Sequence, residues 1–370
     1  MVKGSRDPLG FQVLWQAAGR EMIPHLSTVS NSIRDFQVIS MADHCRRNFQ
    51  IAEQDYLSFF LCFEQLMGYT RFFQSDGNDS FNGIDKVRKI MAGDKSELSL
   101  SVNGNDQLLS NQKSYGIWGK YNRPYTDLAL SADNRFIKAQ NNKLRSNNEL
   151  YTILEKLAKK RGGPLTVNRK IIEQLGTVFN PPEGNERACF IQYLLTDHSH
   201  GELFRLTSDY PSLTGLSFYE QLNYLKNSTT DLRFAGQVEL LTNTERTLSP
   251  LNRIFRYLQE KSFWTFEAMD NDELINFWSK GSPLTGEADL PFKLPELLKL
   301  NNRDLVSGLV KLNSEVCNRR GSEPWISLSS SGLEVNHFEG AFTDTDYNPQ
   351  SDNDYSYFLH TWFSIYRQLN

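Results

Sequence analysis

The segment from Glu53 to Phe73 constrains the fold more than any other. Tyr56, Leu57, Phe59, Phe60, Leu61, Phe63, Leu66, Met67 and Tyr69 leave almost no polar face when wound at helical periodicity. A helix that is apolar all round needs burial on every side, so other helices must surround it. Glu64 and Gln65 fall in its middle and argue against a lipid-facing helix. No apolar run elsewhere reaches the roughly 18 residues that a membrane span requires.

Helical patterns recur along the rest of the chain. Asp7 and Pro8 open a first helix carrying Leu9, Val13, Leu14 and Trp15. Ile23-Pro24 forces an extended step, and Ser27, Thr28, Ser30 and Asn31 offer caps for a second helix burying Ile33, Phe36, Val38, Ile39 and Met41. A short helix is expected from Gly83 to Met91, a short strand from Ser96 to Val102, and an irregular stretch from Tyr115 to Tyr125. Further helices are expected at Ala188 to Leu195, Phe218 to Leu225, Leu248 to Leu258, Phe263 to Trp278, Asp289 to Leu312 and Tyr355 to Leu369. Trp325 to Leu328 and Leu333 to Phe342, joined by a Ser-Ser-Ser-Gly turn, read as a small β-hairpin. The expected fold is therefore mainly α and multi-helix, with a small β element near the C-terminus. Asn180-Pro181-Pro182-Glu183-Gly184-Asn185 is the strongest linker pattern, giving two expected domains, 1–180 and 186–370.

Charge is unevenly spread along a chain of 370 residues and net charge −4. From Arg135 to Lys170 ten basic residues face only Glu149 and Glu155. Leu150, Ile153, Leu154 and Leu157 form a helical stripe there, Gly162-Gly163-Pro164 breaks it, and Ile171, Ile172 and Leu175 follow. Helix, glycine turn, helix with basic flanks is the outline of a helix-turn-helix. An ordinary solvated helical hairpin has the same outline. Lys156, Lys159, Lys160, Arg161, Arg169 and Lys170 are the candidate DNA-binding residues, through phosphate rather than base contacts. From Gly321 to Tyr366 there is no Lys or Arg, and the acids Glu323, Glu334, Glu339, Asp344, Asp346, Asp352 and Asp354 gather there. Asn348 to Asp354 reads as a mobile acidic loop.

Catalytic motifs are harder to find. The chain lacks a Gly-Lys-Ser/Thr phosphate loop and a G-x-S-x-G elbow. Asp197-His198-Ser199-His200-Gly201-Glu202 is the densest group of metal-capable side chains, but its two histidines are two apart and no distant third ligand is marked. Glu334, Asn336 and Glu339 lack the lysine of the usual carboxylate-lysine nuclease set. Asp43-His44-Cys45 places neighbours on different helix faces, where they cannot pair. Cys45, Cys62, Cys189 and Cys317 are scattered without a C-x-x-C pair and read as reduced, buried thiols of a cytoplasmic protein. No catalytic residue, metal or cofactor is assigned.

The opening stretch also resembles a known group. Asp7-Pro8-Leu9-Gly10, Trp15, Gly19-Arg20, Ile23-Pro24, Leu26 and Ser27 resemble the start of bacterial proteins encoded beside SMC-like or ABC-type ATPases and other antiphage genes. Pro324 to Ile326 and a final helix with His360, Tyr366 and Arg367 echo it downstream. The resemblance implies a non-enzymatic accessory subunit of a defence complex, with an ATPase as protein partner and DNA within reach. Trp15, Arg20 and Arg34 are the expected partner-binding residues. A metal-dependent nuclease effector and a protein-only scaffold are the alternatives.

Overall fold

The computed structural model describes residues 7–160, 162–175, 180–197, 200–281, 293–336 and 345–370. Arg161, His198, Glu339 and Asp344 lie outside them. The fold is mainly α with two small antiparallel sheets. Among the described residues no helix is long and apolar enough to cross a membrane.

The chain forms two compact units that are not its two halves. One comprises residues 25–198 and 360–370, the other residues 1–24 and 199–359. The expected boundary at the Pro-Pro segment falls inside the first of these. There the Asn180 carbonyl accepts from Gln37 Nε2 at 3.1 Å, and Asn180 Oδ1 accepts from Gln74 Nε2 at 2.9 Å. Just beyond, the buried Glu186 carboxylate collects Gln37, Gln140 and Lys143. Proline and glycine marked a turn, and side-chain amides from distant helices fasten it.

The first unit is organised around the helix Glu53–Gln74, buried along nearly its whole circumference as its sequence demands. Ile33–Asn48, capped by Ser32 Oγ on the Asp35 N–H, packs against it with Ile33, Phe36, Val38, Ile39 and Met41 buried. Ile84–Met91 is helical and Glu97–Leu100 is a strand, as expected. Ile117–Asp127 is helical rather than irregular: Tyr121 and Tyr125 are buried one turn apart, and that anchorage outweighs Pro124. The helix-turn-helix outline does not form. Asn148–Lys159 is a helix, but Leu165–Asn168 after the glycines is a strand paired with Glu97–Leu100, Val167 opposite Leu98. The following helix, Arg169–Gln174, is under two turns long.

In the second unit the helix Phe11–Met22 buries Phe11, Trp15, Ala18, Gly19 and Met22 against the 27-residue helix Leu232–Leu258. Asp7 caps its start by accepting the Phe11 N–H at 2.9 Å. The C-terminal hairpin forms from Ile326–Leu328 and Gly332–Val335. A third strand, Phe263–Thr265, pairs with Gly332–Val335 where helix was expected. Thr265 then caps the short helix Phe266–Asp270, and Glu273–Lys280 follows. Gly332 is required at this crossing, because a Cβ there would run into the Trp264 carbonyl oxygen.

Candidate functional site

The basic stretch sorts into committed and uncommitted cations. Arg135 is held by Asp133 and by Gln192 Oε1, and Lys143 by Glu186 at 2.6 Å. Lys159 pairs with Glu155 one turn away at 2.8 Å. Lys160 lies half-buried with its Nζ 3.9 Å from Cys62 Sγ. The Arg169 guanidinium donates to the Gly93 and Met91 carbonyls at 2.7 and 3.0 Å and lies over the Phe73 ring, so it closes the end of the helix Ile84–Met91. In contrast, the side chains of Lys138, Arg145, Lys156 and Lys170 are exposed and have no partner among the described residues. Lys138 and Arg145 are seven residues apart on Asn134–Arg145, hence on one face. They come from the same basic run as the six named candidates, and that run was the signal for them. The structure distinguishes exposed from engaged cations, which composition does not.

Below the end of Asn148–Lys159 is an open groove of about 280 Å³. Ser58, Ser101, Asn103, Lys160 and the paired Gly162 and Gly163 line it, with Asp55 as its carboxylate. The glycines have φ of 71° and 63° and open space where a side chain would be, so bare backbone is presented to an incoming group.

The three expected partner-binding residues are spread over both units. Trp15 is buried, its ring stacked on Tyr355 at 5.3 Å and set against Phe358 at 5.5 Å. Arg20 is half-buried and contacts Gln16 Oε1 at 3.4 Å. Arg34 donates to Asp79 at 3.0 Å and to Gln74 at 2.9 Å. It belongs to an internal network in which Arg71 bridges Asp35 at 2.6 Å and Asp79 at 2.8 Å. Burial works against the Arg71 charge, and the two carboxylates outweigh it and raise its pKa.

Two buried carboxyls, Glu64 and Glu245, have raised pKa values, and the second of them went unmarked in the sequence. Glu64 accepts from the Ile117 N–H and from Gln112 Nε2, and burial pushes its pKa up to about 7 against those bonds. Glu245 is wholly buried in Leu232–Leu258. It accepts from the Asp354 and Tyr355 N–H groups and the Tyr357 hydroxyl, with burial pushing its pKa up to about 8. An acid inside a long helix gives no sequence signal when its partners are backbone groups a hundred residues away. The segment expected to be a mobile acidic loop is in fact fastened at its end: Asp354 meets Arg253 at 2.8 Å and Asn252 at 2.8 Å.

His200 is buried at the start of His200–Asp209. Among the described residues no group of three His, Cys, Asp or Glu side chains is arranged to hold a metal. Comparison with protein families, curated proteins and solved structures finds no match.

Proposed function

We propose that the chain is a non-enzymatic subunit of a multi-protein assembly acting on DNA, with its basic unit contacting phosphates. The observation that carries this reading is the division of charge between the two units. Residues 25–198 with 360–370 hold 23 Lys and Arg against 19 Asp and Glu, a net of +4. The other unit holds 17 against 25, a net of −8. A whole-chain charge of −4 conceals this separation. The uncommitted cations Lys138, Arg145, Lys156 and Lys170 all lie in the basic unit, which also holds a groove lined by hydroxyl and amide groups and by the Lys160 ammonium. Phosphate contacts need accessible cations and no particular base-reading geometry. The resemblance of the opening stretch supports an ATPase of a bacterial antiphage system as the protein partner.

The test is a salt-titrated binding curve for duplex DNA, comparing the full chain with a variant in which Lys138, Arg145, Lys156 and Lys170 are changed to Glu. The parent binds weakly at low salt and loses affinity steeply as salt rises, because each phosphate contact releases counterions. The variant binds every sequence more weakly and with a flatter salt dependence. Absence of binding by the parent at low salt, alone and with its co-purified partners, overturns the reading. Metal-dependent cleavage of the DNA by the parent replaces it with a nuclease.

A further inference from the structure

The chain contains two Asn-Gly dipeptides, Asn82-Gly83 and Asn103-Gly104, and the fold treats them in opposite ways. Asn82 is fastened, its Nδ2 donating to the Tyr115 carbonyl at 2.8 Å. Gly83 has φ of 95°, and a Cβ on it would lie 2.8 Å from Leu108 Cβ. The Gly83 carbonyl accepts the Lys86 and Val87 N–H groups that open the helix Ile84–Met91. Asn103-Gly104 follows the strand Glu97–Leu100, and its reacting groups carry no such restraint. The Asn103 side chain is exposed and has no partner among the described residues. Its main-chain carbonyl accepts from the N–H groups of Asp106 and Gln107 at 2.9 and 3.2 Å. A planar trans peptide then turns the Gly104 N–H to the opposite side, where no described group accepts it. Gly104 is not in the left-handed region, and no atom lies within 4 Å of where its Cβ would be.

We propose that Asn103 is a site of spontaneous modification, in which the Gly104 nitrogen attacks the Asn103 side-chain carbon Cγ and the amide becomes a carboxylate. The attack forms an N–Cγ bond and breaks the Cγ–Nδ2 bond. The Gly104 proton passes through solvent to the leaving nitrogen, which departs as ammonia. A five-membered cyclic imide results. Water then opens the ring at either carbonyl, giving aspartate or isoaspartate. One water enters, one ammonia leaves, and nothing is oxidised or reduced. Glycine favours the attack because no side chain stands between its nitrogen and Cγ. The same attack at Asn82 requires the Tyr115 bond and the start of a helix to open first. Asn103 lines the groove of about 280 Å³ that also holds Lys160 and Asp55. Modification changes the charged lining from one ammonium and one carboxylate to one ammonium and two carboxylates, so the groove becomes less able to take an anion. In the isoaspartate product the main chain runs through the former side chain, and the carbonyl that accepted the Asp106 and Gln107 N–H groups becomes the free carboxylate. The chemistry is the same whether or not this unit contacts DNA.

The experiment incubates the full chain at mildly alkaline pH, folded and in urea. Both dipeptides are followed by peptide mapping with mass spectrometry and by an isoaspartate-specific methyltransferase assay. In urea the two asparagines convert at similar rates, since each precedes glycine. In the folded chain Asn103 converts close to its rate in urea, while Asn82 slows at least about tenfold, because it reacts only from a locally opened state. Gly104→Ala, whose methyl meets no atom within 4 Å, keeps the melting temperature of the parent and slows conversion at Asn103 severalfold. The comparison of folded and urea-treated chains uses the parent alone and decides the matter if that variant does not fold. Protection of Asn103 in the folded chain equal to that of Asn82, conversion in a folded Gly104→Ala variant as fast as in the parent, or aspartate formed without isoaspartate each overturns the proposal.

Discussion

The Tyr357 hydroxyl donates to Glu245 Oε2 at 2.8 Å across 112 residues of sequence. The other oxygen of the same carboxyl accepts the N–H of Asp354 at 2.5 Å and of Tyr355 at 3.3 Å. Tyr357 and Phe358 both have positive φ, 48° and 65°, a conformation that is unfavourable for residues with a Cβ. Glu245 is thus the internal clasp that holds a strained strap in place, and the strap in turn supplies Tyr355, Tyr357 and Phe358 to the Trp15 ring.

The clasp makes stability depend on pH in a direction opposite to that of ordinary ion-paired acids. The Glu245 pKa is raised in the folded chain from 4.5 to about 8, so the folded state binds its proton more tightly than the unfolded state does. Its contribution is complete below about pH 4.5 and is lost progressively as the pH rises through about 8. Glu64, raised to about 7, adds a loss with the same sign. Urea unfolding between pH 5 and 8.5 (a range of about this width spans both groups) will show stability falling toward the alkaline end. Glu245→Gln keeps an acceptor for the strap and removes the titration, so its profile will be flatter. An unchanged slope in that variant would show that Glu245 is not the source.

Trp15→Ala removes a buried indole from against three other aromatic rings, those of Tyr355, Tyr357 and Phe358. A loss of about 3–5 kcal/mol is expected for truncating a fully buried aromatic. Chemical denaturation measures it. A loss under about 1 kcal/mol, the range of most surface changes, would mean that the ring contributes little to packing.

Arg169 and Lys156 were indistinguishable as basic residues of one stretch, and their substitutions should now separate. Arg169→Met breaks two bonds to backbone carbonyls at the end of Ile84–Met91 and will lower the melting temperature. Lys156→Glu changes an exposed side chain without a partner among the described residues, so it will leave the melt unchanged and weaken DNA binding. The reverse pattern would relocate the nucleic-acid contact to Arg169.

Asn313 ties three separate segments of one unit. Its Nδ2 donates to the Pro8 carbonyl at 3.0 Å, and its Oδ1 accepts the Trp325 N–H at 2.8 Å. Asn313→Ala leaves both backbone groups unmade in a buried setting and will cost more than a typical hydrogen bond, about 2 kcal/mol or more. Asn313→Asp restores the acceptor only, so it recovers part of the loss if geometry rather than side-chain volume matters. Equal stability of the alanine variant and the parent would remove this tie from the account.

Local pattern was enough for the first two helices and for the buried central one, though not for Ile117–Asp127, whose helix rests on the burial of Tyr121 and Tyr125. The apolar circumference of Glu53–Gln74 required burial whatever surrounded it, and the run Ser27 to Asn31 marked the start of the second helix to within a residue of its actual cap, Ser32, because capping is a short-range interaction. The C-terminal hairpin was legible for the same reason, since its two strands are neighbours in sequence. The strand Phe263–Thr265 was not, because its partner lies some seventy residues away and pairing overrode helical propensity. The same limit applies to Leu165–Asn168, which became a strand when Glu97–Leu100 offered it an edge. Charge followed this division closely. Sequence identified the basic run, but which cations are free depends on where Glu186, Asp133 and the carbonyls of Met91 and Gly93 come to rest. The buried Glu245 and the unpartnered Gln259 oxygen were beyond any pattern, because burial and satisfaction of a polar group are properties of the packed chain and not of the residue.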